Sequence, residues 1–325
     1  GPDLTEFQQQ ATPEIPTTSA EETGPLPEFP GADHLEEGDR GDWLPAWSSD
    51  LLSDERLEGL PVFVVSDAPE PGEFRSASDV LGQVPQSGGI IEFAGAGPFQ
   101  LAPLAIREKG LVMLRAQEGS RPLLTCVPLA DGSLPAISIS NGLLLIEGID
   151  FLTFVAGGPS PTVIQVNESR LRMRDCSITV AGATESGTAI ELNSNEQRRV
   201  ECALERVIVR GDHLTAASLG GPRVDLLVGN SLLWSGTAPC VRLKGSAASI
   251  SAPAGTPTRG MRLLATTCCS QSIGIELDCD GINNPAGFEL NLLRSVFAHV
   301  GEQPGTWADV IGWPLDESAE SGDPE

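Results

Sequence analysis

The chain has 325 residues, with 36 Gly, 26 Pro, ten Phe, five Trp, no Tyr and a formal net charge of -25. Gly and Pro at that level favour short elements joined by turns over long helices, and the absence of any run of about 18 apolar residues excludes a membrane-spanning helix. The charge sits mostly in two tails: residues 1–60 hold 15 acids against Arg40 and Arg56, and residues 316–325 hold five acids and no base. No basic stripe exists, which excludes a nucleic-acid partner.

Residues 1–60 read as an acidic, Pro- and Glu-rich disordered linker. The opening Gly1-Pro2 has the form of a protease-cleavage scar, so the chain reads as a fragment of a longer protein. Within the linker, Trp43 and Trp47 followed by Leu51, Leu52, Leu57 and Leu60 suggest a docking segment at 43–57. The protein's own body is the favoured surface for it, and a partner is the alternative.

Val62-Phe63-Val64-Val65 is the first strand expected. Ser76-Ala77-Ser78-Asp79 supplies capping chemistry ahead of Val80, Leu81 and Val84, and Pro85 and Gly88-Gly89 end that short helix. A helix in this place would plug the open apolar end of a solenoid. Ile90-Ile91-Glu92-Phe93 then reads as a strand, and Leu111-Val112-Met113-Leu114 as an early, incomplete copy of a repeat.

The repeat itself is an eight-residue block. It starts at Leu144, Leu171, Cys202, Leu226, Met261 and Leu290, and its first, third and last positions are apolar or Cys in all six copies. That is period-2 alternation, a turn, then a second inward segment. Between the blocks lies a second strand type: Ala136–Ile139, Val163–Val166, Ala189–Leu192, Cys240–Leu243 and Gly274–Leu277. Fixed strand patterns at variable spacing imply coils joined by turns of changing length.

This arrangement resembles the pectin-lyase-like right-handed parallel β-helix superfamily. The likeness runs from the Ser76–Phe93 segment through Pro98-Phe99-Gln100-Leu101 and over the stacked blocks. More narrowly, it resembles β-helix modules attached to serine/threonine kinases of planctomycete-type bacteria. The resemblance implies an all-β solenoid over residues 61–315 with a short N-terminal capping helix, then an acidic tail at 316–325. It also implies a sensor or scaffold region of a larger bacterial protein, on the extracytoplasmic side of the envelope. Because β-helices host lyases, hydrolases, adhesins and spacers, the fold alone does not fix an activity.

The register makes further demands. Outward positions one rung apart, about 4.8 Å, bring Glu147, Arg174 and Glu205 into a column of alternating sign, with Leu143, Arg170, Glu201 and Asp225 beside it. Such exposed pairs report register more than stability. Leu145, Leu227 and Leu264 also fall outward: either another sheet edge or chain segment covers them, with the Trp43/Trp47 arm and the Trp307–Trp313 segment as candidate covers, or they form a binding stripe.

Candidate chemistry is sparse. Glu276, Asp278 and Asp280 alternate with Ile275, Leu277 and Cys279, so one strand carries three outward carboxylates roughly 6.5–7 Å apart. Crowded carboxylates raise one another's pKa to make a general acid, or bind a hard cation such as Ca²⁺. The blander reading is a solvated acidic face. His34, His213 and His299 lie in unrelated surroundings, and the seven Cys form no C-x-x-C pair, so they read as core packing rather than a zinc site or disulfide framework. Arg40-Gly41-Asp42, Arg210-Gly211-Asp212, the sequon Asn167-Glu168-Ser169 and Gly95-Ala96-Gly97 are short matches without supporting context. The expectation is therefore a non-catalytic β-helix module for a protein or glycan partner, with no cofactor. A polysaccharide lyase or glycoside hydrolase acting on an acidic polysaccharide is the alternative.

Overall fold

The computed structural model describes residues 47, 57–126, 134–155, 162–195, 197–244, 259–278, 288–300 and 311–312. The chain clusters into two units, Gly1–Gly41 and Asp42–Glu325, and every described residue belongs to the second. This unit is a parallel β-solenoid. Its coils each contribute one strand to three sheets of nine, eight and eight strands, here called A, B and C. Sheet A opens with Val62–Ser66, Gly88–Ala94, Leu111–Ala116 and Leu143–Glu147, and continues to Phe288–Leu293. Within one coil the chain runs, for example, from Arg170–Arg174 in A to Ser177–Ala181 in B and Gly187–Asn193 in C.

The eight-residue blocks are the pairing register. Leu144, Leu171, Cys202, Leu226, Met261 and Leu290 are successive partners in sheet A. The first five are no more than 1% exposed. From sheet C, Ile137, Ile164, Ile190, Ala217, Val241 and Ile275 form a facing column, fully buried. From sheet B come Phe151, Ile178, Val209, Leu233 and Cys268. Three aliphatic columns meeting along one axis make a single continuous core, and each fully buried Leu or Ile contributes about 1.5–3 kcal/mol.

One strand escapes the sequence pattern. Leu214–Gly220 supplies sheet C in the coil between Gly187–Asn193 and Val241–Lys244. Its Ala216, Ala217 and Ser218 replace the aliphatic alternation that marks its neighbours, because this strand is buried on both faces and small residues fit there.

The corner from A to B is made by a single residue in the left-handed region: Gly148, Asp175, Arg206, Asn230, Ala265 and Arg294 in successive coils. Five of these six are not glycine, so the coil geometry overrides local preference. In the first five the corner N–H still donates to the next coil's carbonyl, as from Asp175 to Glu205 at 3.1 Å. The next residue turns inward, running Ile149, Cys176, Val207, Ser231, Thr266 and Ser295. The last three satisfy their hydroxyls on backbone, for instance Ser231 Oγ on Gly229 O at 2.7 Å.

The N-terminal end is closed by the helix Ala77–Leu81. Ser76 is its N-cap, its Oγ accepting from Asp79 N at 3.2 Å, and Ala77, Val80 and Val84 enter the core. Six cysteines, Cys126, Cys176, Cys202, Cys240, Cys268 and Cys269, are buried and free. Burial pushes the Cys176 thiol up to about 12, so it packs as a small hydrophobe. Among the described residues no helix is long and apolar enough to cross a membrane.

The outer face of sheet A is not a polar ladder exposed along its whole length. Ile90, Leu111, Met113, Leu143, Leu145 and Ala203 form a second apolar cluster there, and Trp47, Leu57 and Leu60 pack on it. The alternating charges are in place: Arg174 pairs with Glu147, Arg170 with Glu201 at 3.0 Å, and Arg172 approaches Glu205 at 3.9 Å. Yet Arg172, Glu201 and Asp225 are each under 10% exposed. Alternation alone would leave these charges in water.

Candidate functional site

Sheet C presents the longest row of outward polar side chains. Strand alternation turns Ile137, Ile164, Ile190, Val241 and Ile275 inward, so the next residue in each strand must face out. Through the pairing register, Ser138, Gln165, Glu191, Ser218, Arg242 and Glu276 lie side by side, one rung apart. Two residues on, Ser140, Asn167, Asn193 and Gly220 make a second row, and Lys244 is paired with Asp278 further along the sheet.

These side chains form one connected network. Asn193 Nδ2 donates to Asn167 Oδ1 at 3.3 Å, and Asn167 Nδ2 donates to Gln165 Oε1 at 3.3 Å. Gln165 Nε2 in turn donates to Glu191 Oε2 at 3.0 Å. Lys244 Nζ reaches Glu191 Oε1 at 2.8 Å, passing over the intervening strand Leu214–Gly220. Gly220 makes room for this layer: a Cβ there would lie 2.7 Å from Asn193 Oδ1. Beneath it Ser218 is 1% exposed, and its Oγ has no hydrogen-bond partner among the described residues.

Electrostatics favour the ionised form of Glu191. Burial opposes ionisation of Glu191, but the bonds from Lys244 and Gln165 outweigh it and hold the carboxyl below its ordinary range. Glu276 is tied to Arg242. Each of these two carboxylates is therefore an acceptor already matched to a cation, and Glu191 is held in the direction opposite to the one a general acid needs at neutral pH.

Of the three carboxylates read from sequence, Glu276 and Asp278 lie on the strand Ile275–Asp278, with Glu276 opposite Arg242 and Asp278 opposite Lys244. Asp280 lies outside the described residues, as does the Asp278 side chain. The Ca²⁺ expectation depends on those groups. Among the described residues no cluster of three or more His, Cys, Asp or Glu gathers that could hold a metal.

The remaining short motifs sit in ordinary structural roles. His213 Nδ1 lies 2.7 Å from Thr237 Oγ1, and His299 ends its strand. Arg210-Gly211-Asp212 spans a strand end, with Arg210 Nε donating to Thr179 Oγ1 at 2.9 Å. The sequon's Asn167 is engaged in the amide row. His34 and Arg40-Gly41-Asp42 lie outside the described residues.

Gln165, Glu191, Arg242 and Lys244 are the site residues that sequence reasoning did not single out. The signal was present: the third residue of each second-type strand segment reads Ser138, Gln165, Glu191, Arg242 and Glu276, a polar column as regular as the aliphatic one.

No protein-family model matches this chain, and no curated protein matches it. Two solved structures do: the crystal structures of the pectin methylesterase from Aspergillus niger in deglycosylated and penultimately deglycosylated form. They are 11% and 12% identical, with TM-scores of 0.35 and 0.34, and each match covers 78% of this chain and 93% of the other. The fold assignment rests on this chain's own strand pairing.

Proposed function

We propose that the chain is a non-catalytic glycan-binding module that lays a linear polysaccharide along the outer face of sheet C. The observation that carries this reading is the hydrogen-bonded row from Asn193 through Asn167 and Gln165 to Glu191 and Lys244. Amides offer both donors and acceptors, matching sugar hydroxyls, and a prebonded row loses little side-chain freedom when a ligand arrives. A sheet face repeating about every 4.8 Å presents these groups as a ladder, which suits an extended chain better than a compact ligand. Pairing of both described carboxylates with cations favours binding over acid–base catalysis. The resemblance to kinase-attached modules adds that this is the sensor or scaffold part of a larger bacterial envelope protein, which the sequence of the full-length gene product tests.

The functional test is affinity electrophoresis against neutral and acidic soluble polysaccharides, with product analysis on the same samples. Wild type is retarded by at least one polymer, and Gln165→Ala with Asn193→Ala weakens retardation about tenfold while the circular dichroism spectrum is unchanged. Absence of retardation by every polymer contradicts the reading. Release of reducing ends or unsaturated products, abolished by Asp278→Asn, replaces it with the lyase or hydrolase alternative.

A further inference from the structure

The outward row of sheet C also discriminates between kinds of polymer. We infer that this face takes a neutral polysaccharide and turns away a carboxylated one, because the cations of its network already hold carboxylates. This rests on the sheet C reading above and names its ligand class.

Two cations stand in the network. Lys244 Nζ holds Glu191 Oε1 at 2.8 Å, and Arg242 holds Glu276 across one rung. Glu191 Oε2 is taken by Gln165 at 3.0 Å, so both oxygens of that carboxylate are engaged. All four charged side chains still reach the surface: Lys244 and Arg242 are 41% and 30% exposed, Glu191 and Glu276 18% and 24%. Ser218, outward between Glu191 and Arg242 in the register, is 1% exposed, so the layer closes over its strand. A ligand therefore meets the heads of these side chains and not the backbone.

A carboxylated sugar has little to gain there. Its carboxylate is an acceptor only. To reach Lys244 or Arg242 it must displace Glu191 or Glu276, which exchanges one ion pair for another and leaves the freed acid beside it. The net charge of -25 opposes the approach of a polyanion as well. Arg107, in the second row two rungs before Asn167, is outside the network, and a single exposed guanidinium is screened by salt. A neutral sugar instead brings hydroxyls that both donate and accept. They donate to the two carboxylates without breaking either pair. Within the row, Gln165 and Asn167 each use one of two amide N–H groups and one of two oxygen lone pairs, so amide capacity of both signs remains for the sugar.

Isothermal titration of the full chain with matched polymer pairs tests the class: hydroxyethyl cellulose against carboxymethyl cellulose, dextran against carboxymethyl dextran, and carboxyl-reduced against native alginate. In at least one pair the neutral member is expected to bind about tenfold more tightly than its carboxylated counterpart. Its affinity should change less than about twofold between roughly 20 and 200 mM sodium chloride. Glu191→Gln and Glu276→Gln each release a cation, so each narrows the preference severalfold, and measuring both keeps the test decisive if one of them misfolds. Equal or tighter binding of the carboxylated members, or a preference unchanged in each folded variant, overturns the neutral class and leaves the sheet C reading standing. Binding to none of the polymers, or binding that Gln165→Ala does not weaken, removes the sheet C reading and this inference with it.

Discussion

At the outward positions of the first coils, sheet A carries Ile90, Met113 and Leu145, whereas sheet C carries Ala105, Ser138 and Gln165. The inward columns of the two sheets are alike, both aliphatic and both buried. The difference lies entirely in what faces away from the axis. On sheet A the outward residues are apolar where Trp47, Leu57 and Leu60 lie on them, and further along they include the charges Arg172, Glu201 and Asp225, each under 10% exposed. On sheet C the outward residues are amides and ion pairs that bond chiefly to one another. In a solenoid the core columns specify the fold, and the outer columns record what each face meets: another chain segment, or solvent and ligand.

The comparison can be broken at several depths. The largest effects belong to the shared core: Leu171→Ala in sheet A and Ile190→Ala in sheet C each lose about 2–5 kcal/mol in urea unfolding. If only one of them is costly, the two columns are not equivalent. On the outer faces the sheets should diverge. Leu145→Ala loses about 1–3 kcal/mol because its position is covered, whereas Gln165→Ala changes stability by no more than about 1 kcal/mol. Equal losses would mean that sheet A is as open as sheet C.

Trp47→Ala is expected to lose about 1 kcal/mol in the same assay, and to raise amide hydrogen exchange in Leu111–Ala116 and Leu143–Glu147 but not in Ile164–Asn167. The smallest effects are electrostatic. Asp175, held low by Arg206, and Glu191, held low against its burial by Lys244, contribute stability above the ordinary carboxylate range that is lost as acid protonates them. Asp225 has the opposite sign: its folded carboxyl is raised, so its ionisation costs stability as pH climbs through that range. Glu191→Gln should therefore destabilise at pH 7 and become neutral near pH 3, while Asp225→Asn should stabilise at pH 7. Both changes are within about 1 kcal/mol, read from thermal melts across pH.

How much of this was legible follows from which side chains carry a period. The six blocks from Leu144 to Leu290 announce their register because inward aliphatics repeat coil after coil, and the pairing reproduces that alignment. Leu214–Gly220 was hidden because Ala216, Ala217 and Ser218 carry no contrast between faces. The outward leucine Leu145 pointed to either a cover or a binding stripe, and it lies in the cluster on which Trp47, Leu57 and Leu60 pack. The burial of Arg172, Glu201 and Asp225 did not show, since alternation gives direction but not what lies beyond it. The Gln165–Glu191–Arg242 column was visible in the strand segments, yet its meaning as a network needed Lys244 to cross a strand, a contact between residues 53 apart.

Thiol labelling of single outward cysteines tests the division between the two faces most directly. Ser138→Cys on sheet C and Leu145→Cys on sheet A are exposed in turn to a brief pulse of iodoacetamide in the native state and mapped by mass spectrometry. The six described native thiols are buried and serve as an internal blank. Rapid modification at 138, with protection at 145 that is lost when Trp47→Ala is added, is the result expected. Equal modification at both positions, or protection at 138, would contradict a covered sheet A and a sheet C open to ligand.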